Sequence, residues 1–201
     1  MRIARLIARI RMAIEVGVDW IQIREKDLSG KQVTELTRET MAAAAGRPTR
    51  VIVNDRLDGA VAAGAGGVHL GRESLPVREV VAWREKEKTA RADLVDFWIG
   101  ASCHSLAEAR AAAEDGADYI IFGPVFETPS KMQFGAPLGI EKLREACSEL
   151  RIRVLAIGGI SMANAAQCFE AGAAGIAAIR LFQDAANMDE FRRRIEALRQ
   201  L

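Results

Sequence analysis

Glu15-Val16-Gly17-Val18-Asp19-Trp20-Ile21-Gln22-Ile23-Arg24-Glu25-Lys26 holds a helix end, a strand and a polar strand end in one short stretch. Gly17 suits the left-handed residue that stops a helix cheaply. The apolar run after it reads as a buried strand over 19–24. Side chains alternate across a strand, so Gln22 and Arg24 leave on one face and Ile21 and Ile23 on the other. An inward Arg at the end of a buried strand is costly unless something negative meets it. Lys26 adds a second cation just beyond, and a phosphorylated ligand is the simplest partner for both.

The same helix–Gly–strand arrangement returns at Ala62-Ala63-Gly64-Ala65-Gly66-Gly67-Val68, at Glu114-Asp115-Gly116-Ala117-Asp118-Tyr119 and at Glu170-Ala171-Gly172-Ala173-Ala174-Gly175-Ile176. The strands that follow are continuously apolar, as when both faces of a sheet are covered. Working outward, strands are expected at 19–24, 50–54, 67–70, 97–101, 118–122, 153–157 and 174–179. Helices are expected at 2–16, 29–45, 56–63, 76–88, 105–115, 138–150, 161–171 and 187–200. Such alternation means parallel βαβ units. A doubly wound open sheet normally shows a Gly-rich turn after its first strand, where this chain has Arg24-Glu25-Lys26. Nearly every strand ends in polar residues, which favours an α/β fold of the (β/α)8 TIM-barrel type, one domain over 1–201. Seven strands and eight helices are visible and the chain opens on a helix, so the barrel is expected to lack its first strand. Edges at 19–24 and 174–179 would then be open to another chain, with lower stability or a homodimer as the outcome.

With 201 residues, half of them hydrophobic, the chain can bury a sizeable core. A net charge of +1 argues against a nucleic-acid binder that relies on a basic surface. Cys103, Cys147 and Cys168 have unrelated spacings, which suggests neither a disulfide framework nor a zinc site. No apolar run is long enough to span a bilayer, so a cytoplasmic protein without membrane partners is expected. The basic, amphipathic start Met1-Arg2-Ile3-Ala4-Arg5 continues its pattern into Met12 and Val16, as an ordinary first helix does rather than a targeting segment.

The strand ends carry the functional signals. Asn54 and Asp55 suit a hard cation or a polar ring, and equally suit capping of the next helix. His69 alternates with Val68 and Leu70 and so faces inward, where a lone His is more often a satisfied core residue than a catalyst. Cys103 and His104 would point apart on a strand, which disfavours a thiol–imidazole pair. Ser105 and Glu108 have the spacing of a capping box. Thr128, Ser130 and Lys131 offer hydroxyls and a cation to phosphate oxygens, against the alternative of a solvated loop. Gly158 and Gly159 open a helix and expose backbone amides to an anion. In barrels the phosphate site often lies after the last two strands, which would bring Arg180 to the same phosphate.

Gln22-Ile23-Arg24-Glu25-Lys26, Val53-Asn54-Asp55, Gly67-Val68-His69-Leu70-Gly71, Gly123-Pro124-Val125-Phe126-Glu127-Thr128-Pro129-Ser130-Lys131 and Ala156-Ile157-Gly158-Gly159-Ile160 together resemble the thiamine phosphate synthase family and its relatives, the thiazole tautomerases. The likeness runs from about Gly17 to Phe182. It implies a transferase that joins an aminopyrimidine methyl diphosphate to a thiazole phosphate and releases diphosphate. By that resemblance Gln22, Arg24, Lys26 and Asn54 would contact the pyrimidine diphosphate, and Asp55 would hold Mg2+. Ser102 would sit near the reacting centre and Lys131 on the diphosphate. Thr128 and Ser130 would hold the thiazole side, with Gly158 and Gly159 on its phosphate. The family's chemistry is dissociative and asks mainly for charge stabilisation and alignment. Two positions depart from the pattern. Ser74 stands where a second metal-binding Asp is usual, leaving Glu73 as the substitute, and Arg180 stands where a small residue is usual. The tautomerases have a His where this chain has Pro124, so an isomerase would have to use His69. A non-catalytic binder of thiamine precursors is a third reading.

Overall fold

The computed structural model describes residues 2–127, 136–185 and 187–201. Its elements follow the expected alternation. They are α1 (Arg2–Glu15), β1 (Trp20–Ile23), α2 (Gly30–Ala44), β2 (Arg50–Asn54), α3 (Leu57–Ala63), β3 (Gly67–Leu70), α4 (Val77–Glu87) and β4 (Trp98–Cys103), then α5 (Leu106–Glu114), β5 (Tyr119–Phe122), α6 (Ile140–Glu149), β6 (Arg153–Ile157), α7 (Ala165–Glu170), β7 (Gly175–Ala177), α8 (Arg180–Gln183) and α9 (Met188–Leu198). All seven expected strands are present. The eight expected helices become nine among the described residues, because the last strand ends at Ala177 rather than 179 and Arg180 opens a short helix instead.

The strands form one parallel sheet in the order β1 to β7, a TIM-barrel-like α/β arrangement with β1 and β7 at its two edges. Alternation sorts each strand into two faces. Ile23 and Val51 pack under α1 and α2 with Ile10, Ile14 and Leu36. Val53, Val68, Leu70 and Ile99 meet α2, α3 and α4, while Ala101, Phe122 and Ala156 meet α5, α6 and α7. Burying a side chain the size of Phe97 or Phe122 stabilises by roughly 1.5–3 kcal/mol. The end of α1 reaches α9 through Val16, Phe191 and Ile195, and Arg9 donates to the Ala185 carbonyl at 2.9 Å. Helices therefore meet across the interval between β7 and β1, where no described strand bridges the sheet.

The opposite face of the sheet has a floor and a mouth. At the floor, the Trp20 ring meets Trp98 edge-on at 5.0 Å and Tyr119 at 4.7 Å. Arg50 and Arg153 lie over the Trp98 indole, with their guanidinium carbons 4.5 and 4.6 Å from the ring centre. Asp96 accepts from Arg50 at 2.6 Å and from the Trp98 indole N–H at 2.9 Å. Tyr119 fits because its register partner is Gly100: a Cβ there would stand 2.0 Å from the ring.

Candidate active site

Gln22, Arg24 and Lys26 leave β1 at the mouth and are exposed. Gln22 Nε2 donates to Asn54 Oδ1 at 2.7 Å, and Asn54 Nδ2 donates to Asp55 Oδ2 at 2.6 Å. This line of polar groups crosses diagonally from β1 to β2, since Gln22 is registered with Ile52 and Asn54 lies one residue past the last pair, Ile23 and Val53. Arg24 and Lys26 have no hydrogen bond or ion pair with any described residue. Both cations therefore lie open to solvent at the end of β1, without a counter-charge among the described residues.

The alternative that Asn54 and Asp55 cap α3 fails. The helix is preceded by Arg56, and no side chain caps it. Asp55 instead takes a left-handed backbone (φ 62), a conformation uncommon outside Gly, Asn and Asp. Its N–H donates to the His69 carbonyl at 2.9 Å. Its Oδ1 accepts from the Ser74 hydroxyl and, at 3.4 Å, from the Gly71 N–H. Ser74 returns to this carboxylate because its own N–H closes a tight turn onto the Gly71 carbonyl at 3.2 Å, and its Oγ accepts from the Gly71 N–H at 2.7 Å. Ser74 thus presents a hydroxyl donor to the Asp55 carboxylate. Glu73 is exposed beside it.

His69 is 2% exposed, and both ring nitrogens have partners: Tyr119 Oη at 3.2 Å from Nδ1 and Ser102 Oγ at 2.8 Å from Nε2. Burial pushes its pKa down to about 4, with Asp55 acting upward and Arg24 downward. It is a satisfied core residue, as expected of a lone inward His, yet it ends on Ser102. Ser102 is half-buried on β4, one residue from Cys103. Cys103 faces the helices, and burial raises its thiol to about 12. His104 turns away and meets the Gly123 carbonyl through Nδ1. No thiol–imidazole pair forms. Ser105 caps α5 by accepting from the Glu108 N–H at 3.1 Å, but the Glu108 carboxylate returns to His104 N at 2.6 Å rather than to Ser105.

Past β6, Gly158 (φ 97) and Gly159 (φ 66) lie in the region that favours glycine, but they do not open a helix as expected: a turn follows and α7 begins only at Ala165. The loop after β5 crowds them: a Cβ on Gly158 would meet Pro124 at 2.5 Å, and one on Gly159 the Glu127 carbonyl at 2.4 Å. Phe126 N–H donates to the Gly158 carbonyl at 3.0 Å, and Asn164 Nδ2 to that of Gly159 at 3.0 Å, which fixes the turn from both sides. Thr128, Ser130 and Lys131 lie outside the described residues. Arg180 does not end β7. It is exposed at the start of α8, after Ala178 and Ile179. Tyr119 is the residue that reading the sequence did not bring to the site. Its link to His69 depends on strand register, which local patterning does not report.

A family model described as thiamine monophosphate synthase matches residues 2–182. A putative thiamine-phosphate synthase of Geobacter sulfurreducens is 44% identical over 174 residues, covering 87% of this chain and 78% of the relative. The thiamine-phosphate synthase of Chloroflexus aurantiacus is 39% identical over 193 residues, covering 95% and 84%. Among solved structures, a thiamine phosphate pyrophosphorylase from Pyrococcus furiosus superimposes with a TM-score of 0.78 at 30% identity, covering 98% of this chain and 92% of that one.

Proposed function

The chain belongs to the thiamine monophosphate synthase family and is a transferase of thiamine biosynthesis, a thiamine-phosphate synthase, and from that premise we propose how its strand ends perform the reaction. The substrates are 4-amino-2-methyl-5-pyrimidinylmethyl diphosphate and thiazole phosphate. The reading rests on one observation: Arg24 and Lys26 stand exposed, without a partner among the described residues, beside the ordered line Gln22–Asn54–Asp55.

Gln22 and Asn54 hold the pyrimidine through their amides. Arg24 and Lys26 take the diphosphate, and their charge offsets the negative charge that grows as it leaves. A well-placed group of this kind contributes on the order of 10²–10³ in rate. Ser102 hydrogen-bonds at the reacting centre. Thiazole phosphate docks on the backbone of Gly158 and Gly159 in this reading, with Arg180 as a further cation for the same phosphate. The thiazole nitrogen then attacks the pyrimidine cation. Alignment and charge suffice, and no protein nucleophile is called for. Thr128, Ser130 and Lys131 complete the phosphate contacts in this reading, with Lys131 on the leaving diphosphate.

Magnesium fits these residues in one mode. Among the described residues no group of three His, Cys, Asp or Glu could enclose a metal. Magnesium, however, commonly takes only one or two carboxylates and completes its shell with water and substrate phosphates. Asp55 would be the first such carboxylate and exposed Glu73 the second. When bound, the ion neutralises diphosphate charge and makes it a better leaving group. The isomerase reading needs His69 to exchange protons with a thiazole, but that ring is enclosed and engaged at both nitrogens. No helix among the described residues is long and apolar enough to cross a membrane. Action in the cytoplasm, with three reduced thiols, accords with the reading.

The experiment is direct. Purified protein with both substrates and magnesium should form thiamine phosphate and release diphosphate in equal amounts. Absence of product, with magnesium varied over a wide range, would remove the proposal.

A further inference from the structure

Tyr119 is buried on β5, and its hydroxyl has one hydrogen-bond partner among the described residues, His69 Nδ1 at 3.2 Å. Burial raises the phenol pKa, so the hydroxyl keeps its proton. A buried donor left without an acceptor is costly, so that proton goes to Nδ1. Nδ1 is then the acceptor nitrogen of a neutral imidazole, and Nε2 carries the ring proton. Nε2 lies 2.8 Å from Ser102 Oγ and donates to it. Ser102 has no other described partner, so its own proton is left for an acceptor outside this chain of three.

We propose that Tyr119 and His69 are positioning residues that set the polarity of Ser102, making its hydroxyl a hydrogen-bond donor to an acceptor atom of the bound substrate, of the class of a diphosphate oxygen. The inference rests on the role of Ser102 given above and adds a direction to it. With the opposite tautomer, Ser102 would donate inward to His69 and present only lone pairs, which repel a phosphate oxygen. The Tyr119 ring is held by Trp20 and by the bare Gly100, so the relay is anchored to the floor.

Nitrogen-15 correlation spectra of the histidine rings, with His104→Gln used for assignment, should show His69 neutral and protonated on Nε2 at neutral pH. Tyr119→Phe, which keeps the ring, should admit the other tautomer. It should lower kcat about tenfold, the loss of one hydrogen bond of about 1–1.5 kcal/mol, with KM within about twofold. In a Ser102→Ala background the same change should have no further effect on kcat. A ring proton on Nδ1 in the wild type, an undiminished kcat in Tyr119→Phe, or additive losses in the double variant would overturn the relay while leaving the role of Ser102 intact. Full activity of Ser102→Ala would remove that role, and the relay's purpose with it.

Discussion

The floor and the mouth of the barrel interior hold the same kind of charge under opposite conditions. At the floor, Arg50 and Arg153 lie on the Trp98 indole, and Asp96 pairs with Arg50. At the mouth, Arg24 and Lys26 have no described partner. A cation over an indole stabilises by about 0.5–1 kcal/mol at an exposed site, so the floor arginines work for the fold. The mouth cations contribute nothing comparable to stability. The difference teaches which charges the fold engages for itself and which it leaves open to solvent or a ligand: it turns on whether the described residues supply the counter-group.

Substitutions should divide along the same line. Arg24→Ala is expected to lower kcat/KM for the pyrimidine diphosphate by on the order of 10²–10³, with the urea midpoint unchanged. A large stability loss with little loss of rate would erase the contrast. His69 lies between the two ends and tests the boundary by pH. Its folded pKa of about 4 is below the ordinary 6.5, so the unfolded chain binds more protons between those values. Its contribution is therefore full above about pH 6.5 and falls by on the order of 3 kcal/mol as the pH drops to about 4. Comparing urea midpoints of the wild type and His69→Gln across that window isolates the effect, and parallel curves would contradict it.

At the floor, Gly100→Ala should cost about 1–3 kcal/mol by overpacking, because Tyr119 must move. Thermal unfolding measures this loss, and near-UV circular dichroism should report the displaced aromatic cluster. The smallest effect belongs to Asp96→Asn. Its carboxylate is 75% exposed and Arg50 keeps its indole, so a change of no more than about 1 kcal/mol is expected in denaturant titration. A larger loss would mean that the ion pair, not the stacking, holds the floor.

Much of this was legible in the residues. Continuous apolar runs behind Gly17, Gly64, Gly116 and Gly172 gave the sheet, because strand and helix-stop chemistry are local. Arg24 and Lys26 stand out in the sequence as cations at a buried strand end. However, β1 stops at Ile23 and both are exposed, so water already solvates their charge and burial supplies no demand for an anion. The end of β7 was not legible. Ala173 to Ile179 is one unbroken apolar run, and no capping residue marks the start of α8. The contact Ser74 makes also escaped the sequence, where the family resemblance implied only a carboxylate missing at that position. That its hydroxyl reaches Asp55 depends on the turn from Gly71. The Tyr119–His69–Ser102 chain joins β5, β3 and β4 and is non-local by nature, since periodicity says which face a residue occupies and not which neighbour it meets.

The fit of the Tyr119 ring over bare Gly100 also bears on how relatives of this chain can diverge. Positions 100 and 119 share a single volume and cannot drift independently. A lineage that acquires a side chain at 100 must first shrink the residue at 119, and in doing so it gives up the hydroxyl beneath the imidazole. Among diverged chains, joint change at these two positions would therefore mark a branch whose chemistry has altered, even where every residue of the mouth is retained.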